Sequence, residues 1–152
     1  MSYEELLVEA DAEGIIVKEK PLLNNDGRMK GKKIAIRDDI PTLRQKAGVL
    51  AEEMGHYHTT VGRIVEQDTV DSVKQEYKAR LWGYNRMIGL QGIIEGYEAS
   101  CQNLYELARH LNVAEDFLQD ALDCYRSKYG AFAEMDNYVI MFEPSLSVIE
   151  KL

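Results

Sequence analysis

Long apolar runs are missing from this chain. No stretch approaches the roughly 18 apolar residues that a membrane-spanning helix needs. The opening "MSYEELLVEADAEG" also lacks the charged-then-apolar layout of a signal sequence. It carries Glu4, Glu5, Glu9, Asp11 and Glu13, with its apolar residues in short pieces. A cytoplasmic protein is the expectation. Cysteine is scarce: Cys101 and Cys124 are the only two and have no CxxC spacing, so reduced core thiols are expected rather than a disulfide or a thiolate metal site. Positive charge is in deficit, with 18 Lys and Arg against 26 Asp and Glu, a formal charge of -8 and a pI near 4.9. Such a field repels nucleic acid and anionic lipid, which leaves a protein partner or a peptide substrate as the better fit. Internal repeats, low-complexity tracts and a flexible interdomain linker are absent too.

What is present, 152 residues with 45% apolar content, suffices for one substantial core and falls short of two ordinary domains. A single compact α+β domain over residues 1–152 is expected. "YEELLVEADAEG" spaces Leu6, Leu7 and Ala10 along one helical face and stops at Gly14. "GIIVKE" and "KKIAIRD" read as strands on either side of the turn-rich "PLLNNDGRMKGK", so residues 14–39 predict a small antiparallel sheet. Pro41 suits the first turn of a helix whose buried stripe would be Leu43, Ala47, Leu50, Met54, Tyr57 and Val61. A second helix, from Asp71 to about Ile88, is marked by Val73, Tyr77, Leu81, Tyr84 and Ile88. Three more helices with breaks near Ser100 and Asn112 follow, and "NLYELARHLNVAEDFLQDAL" has a helix-turn-helix look. A strand-like "NYVIMFE" closes the chain. The organisation expected is a core over residues 1–88 and a helical extension with a terminal strand over 89–152.

Chemistry concentrates in "VLAEEMGHYHTT", Val49 to Thr60. A helical HExxH motif works because residues four apart share a face and can ligate one ion, while the glutamate between them handles the proton of the attacking water. In this register Glu52 stands at the first ligand position, Glu53 at the catalytic glutamate and His56 at the second ligand position. A carboxylate at the first position still binds zinc through oxygen, but it is harder than imidazole and admits manganese or iron. Gly48 and Gly55 lie beside Glu52, and each glycine costs a helix about 1 kcal/mol against alanine, which points to close packing. On the second helix Glu76 is followed by Ala79 and Gly83, a small-residue row that lets a neighbouring helix approach and the glutamate reach across. His58, two residues beyond His56, points about 200° away around the helix and falls outside the ligand set. His110 reads as a surface or interhelix residue, and Trp82 with the tyrosines as core and interface.

Together, "VLAEEMGHYHTTVG", "KQEYKARLWGYNRMIG" and "NLYELARHLNVAEDFLQDALDCYRSKYG" resemble the ImmA/IrrE family of metallopeptidase-like proteins, in the small form carried by prophages and mobile elements. The resemblance extends over nearly the whole chain. It implies a zincin-like helix pair with a small sheet, followed by the helix-turn-helix-like segment. It also implies a zinc site held by Glu52, His56 and Glu76, with Glu53 as the catalytic glutamate. Glu52 departs from the histidine that the family carries there. The implied activity is cleavage of a repressor-like regulatory protein. "KKIAIRD" would then be the edge strand that pairs with an extended substrate, and Tyr57 and Tyr84 are among the candidates for oxyanion stabilisation.

Two other classes compete with that reading. The Glu52 departure fits a non-catalytic interaction module, an antirepressor or toxin-antitoxin-like protein that binds its partner without cutting it. The helix-turn-helix look fits a DNA-binding regulator. Over residues 103–128, however, Glu106, Glu115, Asp116, Asp120 and Asp123 outnumber Arg109, Arg126 and Lys128, a balance that repels phosphate and favours a structural or protein-docking role.

Overall fold

A computed structural model describes residues 1–60 and 69–152 and has α+β architecture. The chain divides into two compact units, Met1–Arg86 and Met87–Leu152; the expected boundary between core and extension falls at residues 88–89. Among the described residues no helix is long and apolar enough to cross a membrane.

Helix α1 (Tyr3–Ala12) starts on a reciprocal cap in which the Ser2 hydroxyl accepts from the Glu5 amide and the Glu5 carboxylate accepts from the Ser2 amide. It buries Tyr3, Leu6 and Ala10. Three strands follow, β1 (Ile16–Lys20), β2 (Gly27–Lys30) and β3 (Lys33–Arg37), in the spatial order β1-β3-β2. The sheet is therefore mixed. β2 and β3 pair antiparallel, as expected of a small antiparallel sheet, but β1 and β3, the two strands legible in the sequence, run parallel. The chain makes this possible by crossing to the far side for β2, which lies inside the segment read as turn. β3 also takes the centre, so "KKIAIRD" is not an edge strand. Ile34 and Ile36 are both buried, and the middle position covers them most completely.

Helix α2 (Leu43–Thr60) is capped by Thr42, whose hydroxyl accepts from the Gln45 amide while the Gln45 side chain accepts from the Thr42 amide. Pro41 thus lies before the cap rather than in the first turn. The buried face of α2 is Ala47, Leu50, Ala51, Met54 and Gly55. Leu43 is exposed and Val61 lies outside the described residues. Leu50 and Met54 pack without exposure against the side that α1 and the sheet cover, each worth about 2 kcal/mol in transfer free energy.

Helix α3 (Thr69–Met87) buries Gln75, Ala79, Gly83 and Met87, while Val73 is 65% and Tyr77 40% exposed. The row of large apolar residues expected to face inward therefore does not do so at those two positions. The small row takes that place because it lets backbone meet backbone.

In the second unit, α4 (Gly89–Glu98), α5 (Leu104–Leu111) and α6 (Glu115–Tyr129) are separated at the expected breaks. Ser100 and Asn112 both have positive φ, and Asn112 closes α5 in the left-handed conformation after Asn103 has capped its start. "NYVIMFE" supplies β5 (Tyr138–Met141). It is the middle of an antiparallel sheet with β4 (Phe132–Met135) and β6 (Ser147–Glu150), two strands the sequence reading did not mark. Tyr125, Leu118, Ile93, Ile94 and Ile140 fill this unit's core.

Candidate metal centre

The site is built by the close approach of α2 and α3. A Cβ placed on Gly55 would stand 2.1 Å from the Ala79 carbonyl oxygen, and one on Gly83 would stand 3.2 Å from the Ala51 carbonyl. The first contact leaves no room for a side chain at Gly55, and the second is tight at Gly83. With the backbones this near, Glu76 reaches across to α2, and its Oε1 lies 3.5 Å from His56 Nε2. One ligand atom each from Glu52, His56 and Glu76 can be chosen so that all three lie within 4.8 Å of one another. These three residues form a group able to hold a metal ion.

The donor chemistry fits a divalent cation. Donors sharing one ion through bonds of about 2 Å sit roughly 3.4 Å apart in a tetrahedron, so the His56–Glu76 pair already has that spacing and a side-chain adjustment brings Glu52 in. One nitrogen and two carboxylates leave a further position open, as sites that bind substrate require. Glu76 is 51% and His56 20% exposed in their side chains, so the group opens toward solvent on the α3 side.

Glu53, next to this group, has its carboxyl pushed up to about 7. Burial is the larger cause and the negative charges of Glu52 and Glu76 add to it. A cation held by those two carboxylates would favour the charged form of Glu53 and oppose this shift.

Two neighbours of the site were not identified in the sequence. Gly27, in the edge strand β2, lies against Glu53: a Cβ on it would come within 2.9 Å of Glu53 Cγ and 2.8 Å of Val49 Cγ1. An edge strand therefore does run over α2, but it is β2 and not "KKIAIRD". The sequence signal was the Asp-Gly pair at residues 26–27, read only as a turn. The second neighbour is Arg80, whose Nε lies 3.5 Å from Glu52 Oε1. Its place one turn after Glu76 was the available clue.

His58 points away from the group, as the helical angle requires. Its Nε2 lies 3.0 Å from Glu13 Oε2 and its ring stacks on Trp82 at 4.5 Å. His110 is exposed on α5. Cys101 and Cys124 are both half-buried thiols. Tyr57 and Tyr84, the oxyanion candidates, are half-buried.

Compared with known proteins, the chain matches no family model and no curated protein.

Proposed function

We propose that this chain is a metal-dependent endopeptidase of the ImmA/IrrE type, acting in the cytoplasm on a repressor-like regulatory protein of a prophage or mobile element. The observation that carries the reading is the convergence of Glu52, His56 and Glu76, with the Glu53 carboxyl beside them. Zinc is the ion proposed, with manganese or iron as competitors because two of the three ligands are carboxylates. When bound, the ion supplies Lewis acidity to water and to the scissile carbonyl. Glu53 takes the proton from the attacking water and returns it to the leaving amine. β2, at the sheet edge against Glu53, offers an extended substrate its free backbone groups.

Glu53→Gln removes the proton acceptor and keeps the side-chain shape. Incubating parent and variant with the repressor-like protein proposed as substrate should give cleavage by the parent only, with equal zinc content in both. Cleavage by the variant would take Glu53 out of the mechanism.

A second reading has its own observation. Arg80 beside Glu52 gives that carboxylate a cationic partner without any metal, which suits a protein-binding antirepressor or toxin-antitoxin-like module descended from a peptidase. Metal analysis of protein purified without a chelating resin distinguishes the two: a parent free of bound ion and inert toward its repressor supports the module.

A further inference from the structure

The acidic character of the chain is reversed on one sheet. Ile16–Arg37 holds seven of the 18 Lys and Arg and only two of the 26 Asp and Glu, which leaves eleven bases against 24 acids elsewhere. Strand alternation then sorts these bases to one side. Ile34 and Ile36 of β3 face the core, so Lys33, Ala35 and Arg37 face outward. Cross-strand partners point the same way, and the register places Lys18 and Arg28 on either side of Ala35, with Lys30 beside Lys33 and Lys20 beside Arg37. The outward face thus presents Lys18, Lys20, Arg28, Lys30 and Lys33.

These cations have no ion-pair partner among the described residues, whereas Arg37 pairs with Asp26 and Lys46 with Glu19. Five like charges on neighbouring strands repel one another, a cost that an anionic partner would remove. They surround a hollow of about 410 Å³ whose floor includes Ile16, Ala35 and Leu22. Lysine stems extend that apolar wall while their ammonium groups stay in water. With strands about 4.8 Å apart, Lys18 and Arg28 stand roughly 10 Å apart across Ala35, wide enough to receive one helix or strand.

We propose that this face docks a short acidic peptide segment of a partner protein, with apolar side chains seated in the hollow and carboxylates against the flanking lysines and Arg28. The proposal does not depend on cleavage. The face lies on the other side of the sheet from α2, and it would recognise a partner of a peptidase or of a non-catalytic module alike. A nucleic acid fits less well, because no aromatic side chain stands on this face to stack a base. A long polyanion or an anionic membrane would also meet the surplus acid of the remaining chain, which a short segment confined to this face avoids.

The test uses the full chain and a fluorescein-labelled peptide of about 12 residues, alternating glutamate pairs with leucine, long enough to span strands of this size as a helix. Anisotropy should report binding that weakens with added salt. It should fall at least about tenfold in Lys18→Glu/Arg28→Glu and by a smaller factor in Lys18→Gln/Arg28→Gln, two charge units against four. Circular dichroism of each variant checks that the strands persist. A peptide of glutamate alone should bind more weakly than the leucine-containing one. Failure of the peptide to bind, or equal binding by folded variants, would overturn the proposal and leave the lysines the role of guarding β1 and β2 against edge-to-edge aggregation. Tighter binding of single-stranded DNA or of phosphatidylserine vesicles would overturn it in favour of those polyanions. Self-association abolished by the same variants, without peptide binding, would identify a second copy as the occupant instead.

Discussion

In Met1–Arg86, α2 and α3 meet through Gly55, Ala79 and Gly83, residues with almost nothing to bury, and three ionisable side chains converge beside the contact. In Met87–Leu152 the helices and sheet are held by large side chains, Leu118, Tyr125, Ile93, Ile94 and Ile140, all fully or almost fully buried. The Tyr125 ring lies 6.3 Å from Phe142, and its hydroxyl accepts from the Gly89 amide. The difference separates two uses of packing. Large apolar contacts stabilise by area removed from water, whereas small-residue contacts bring backbones close enough for polar groups to reach across. The first unit has a conventional core too, with Leu6, Ile36, Leu50 and Met54 on the α1 and sheet side of α2. Only its α3 side is given over to the cluster.

The largest expected effect sharpens this contrast. Leu118→Ala should lower the unfolding free energy of its unit by about 3 kcal/mol, through lost transfer energy and the cavity left behind, and should leave zinc affinity unchanged. Chemical denaturation with parallel zinc titration measures both. Gly55→Ala should cost about 2 kcal/mol in thermal or chemical unfolding even after the helix-propensity gain, because the added carbon meets the Ala79 backbone. Unlike Leu118→Ala, it should abolish zinc binding by forcing the helices apart.

A smaller effect lies in the pH dependence of the metal-free protein. With its carboxyl raised from 4.5 to about 7, Glu53 keeps a proton in the folded state that the unfolded chain gives up. Its contribution to stability is fully present below pH 4.5 and is lost as pH rises through about 7. After discount for solvent screening this amounts to about 1–2 kcal/mol. Melting curves between pH 4.5 and 8 should show that decline in the parent and a flatter profile in Glu53→Gln. The smallest effect belongs to Gly96→Ala in the second unit. There the added carbon's one severe contact is with Leu107 Cδ1, the far end of a side chain rather than backbone, so a change of about 1 kcal/mol is expected from the same unfolding curves.

Features fixed by local chemistry were the most legible in the sequence. Gly14 and Asn112 mark chain reversals that follow from a few neighbouring residues, and the helices they bound stand where those residues put them. Glu52 and His56 were legible as a pair because helical spacing fixes which side chains share a face, and Glu76 because the small row of Ala79 and Gly83 beyond it lets the two helices approach. What escaped was set by distant partners. β2 is short and polar, and its strand character comes from pairing with β3 rather than from its own residues. The inward row of α3 was misread at Val73 and Tyr77 because hydrophobic periodicity weighs large side chains, while the contact with α2 selects small ones. Gly27 and Arg80 carried only weak local signals, an Asp-Gly pair and a place one turn after Glu76, and their positions beside Glu53 and Glu52 depend on tertiary contacts.

The central claim is that residues on two helices form one metal site. A competition titration of zinc against a chelator, run on the parent, His56→Ala, Glu76→Gln and the double variant, tests it most directly. The account predicts one ion per parent chain, at least about tenfold weaker binding in each single variant, and weaker binding still in the double variant, which keeps Glu52 alone of the three ligands. Parent protein that binds no ion, or variants that bind zinc as tightly as the parent, would contradict it.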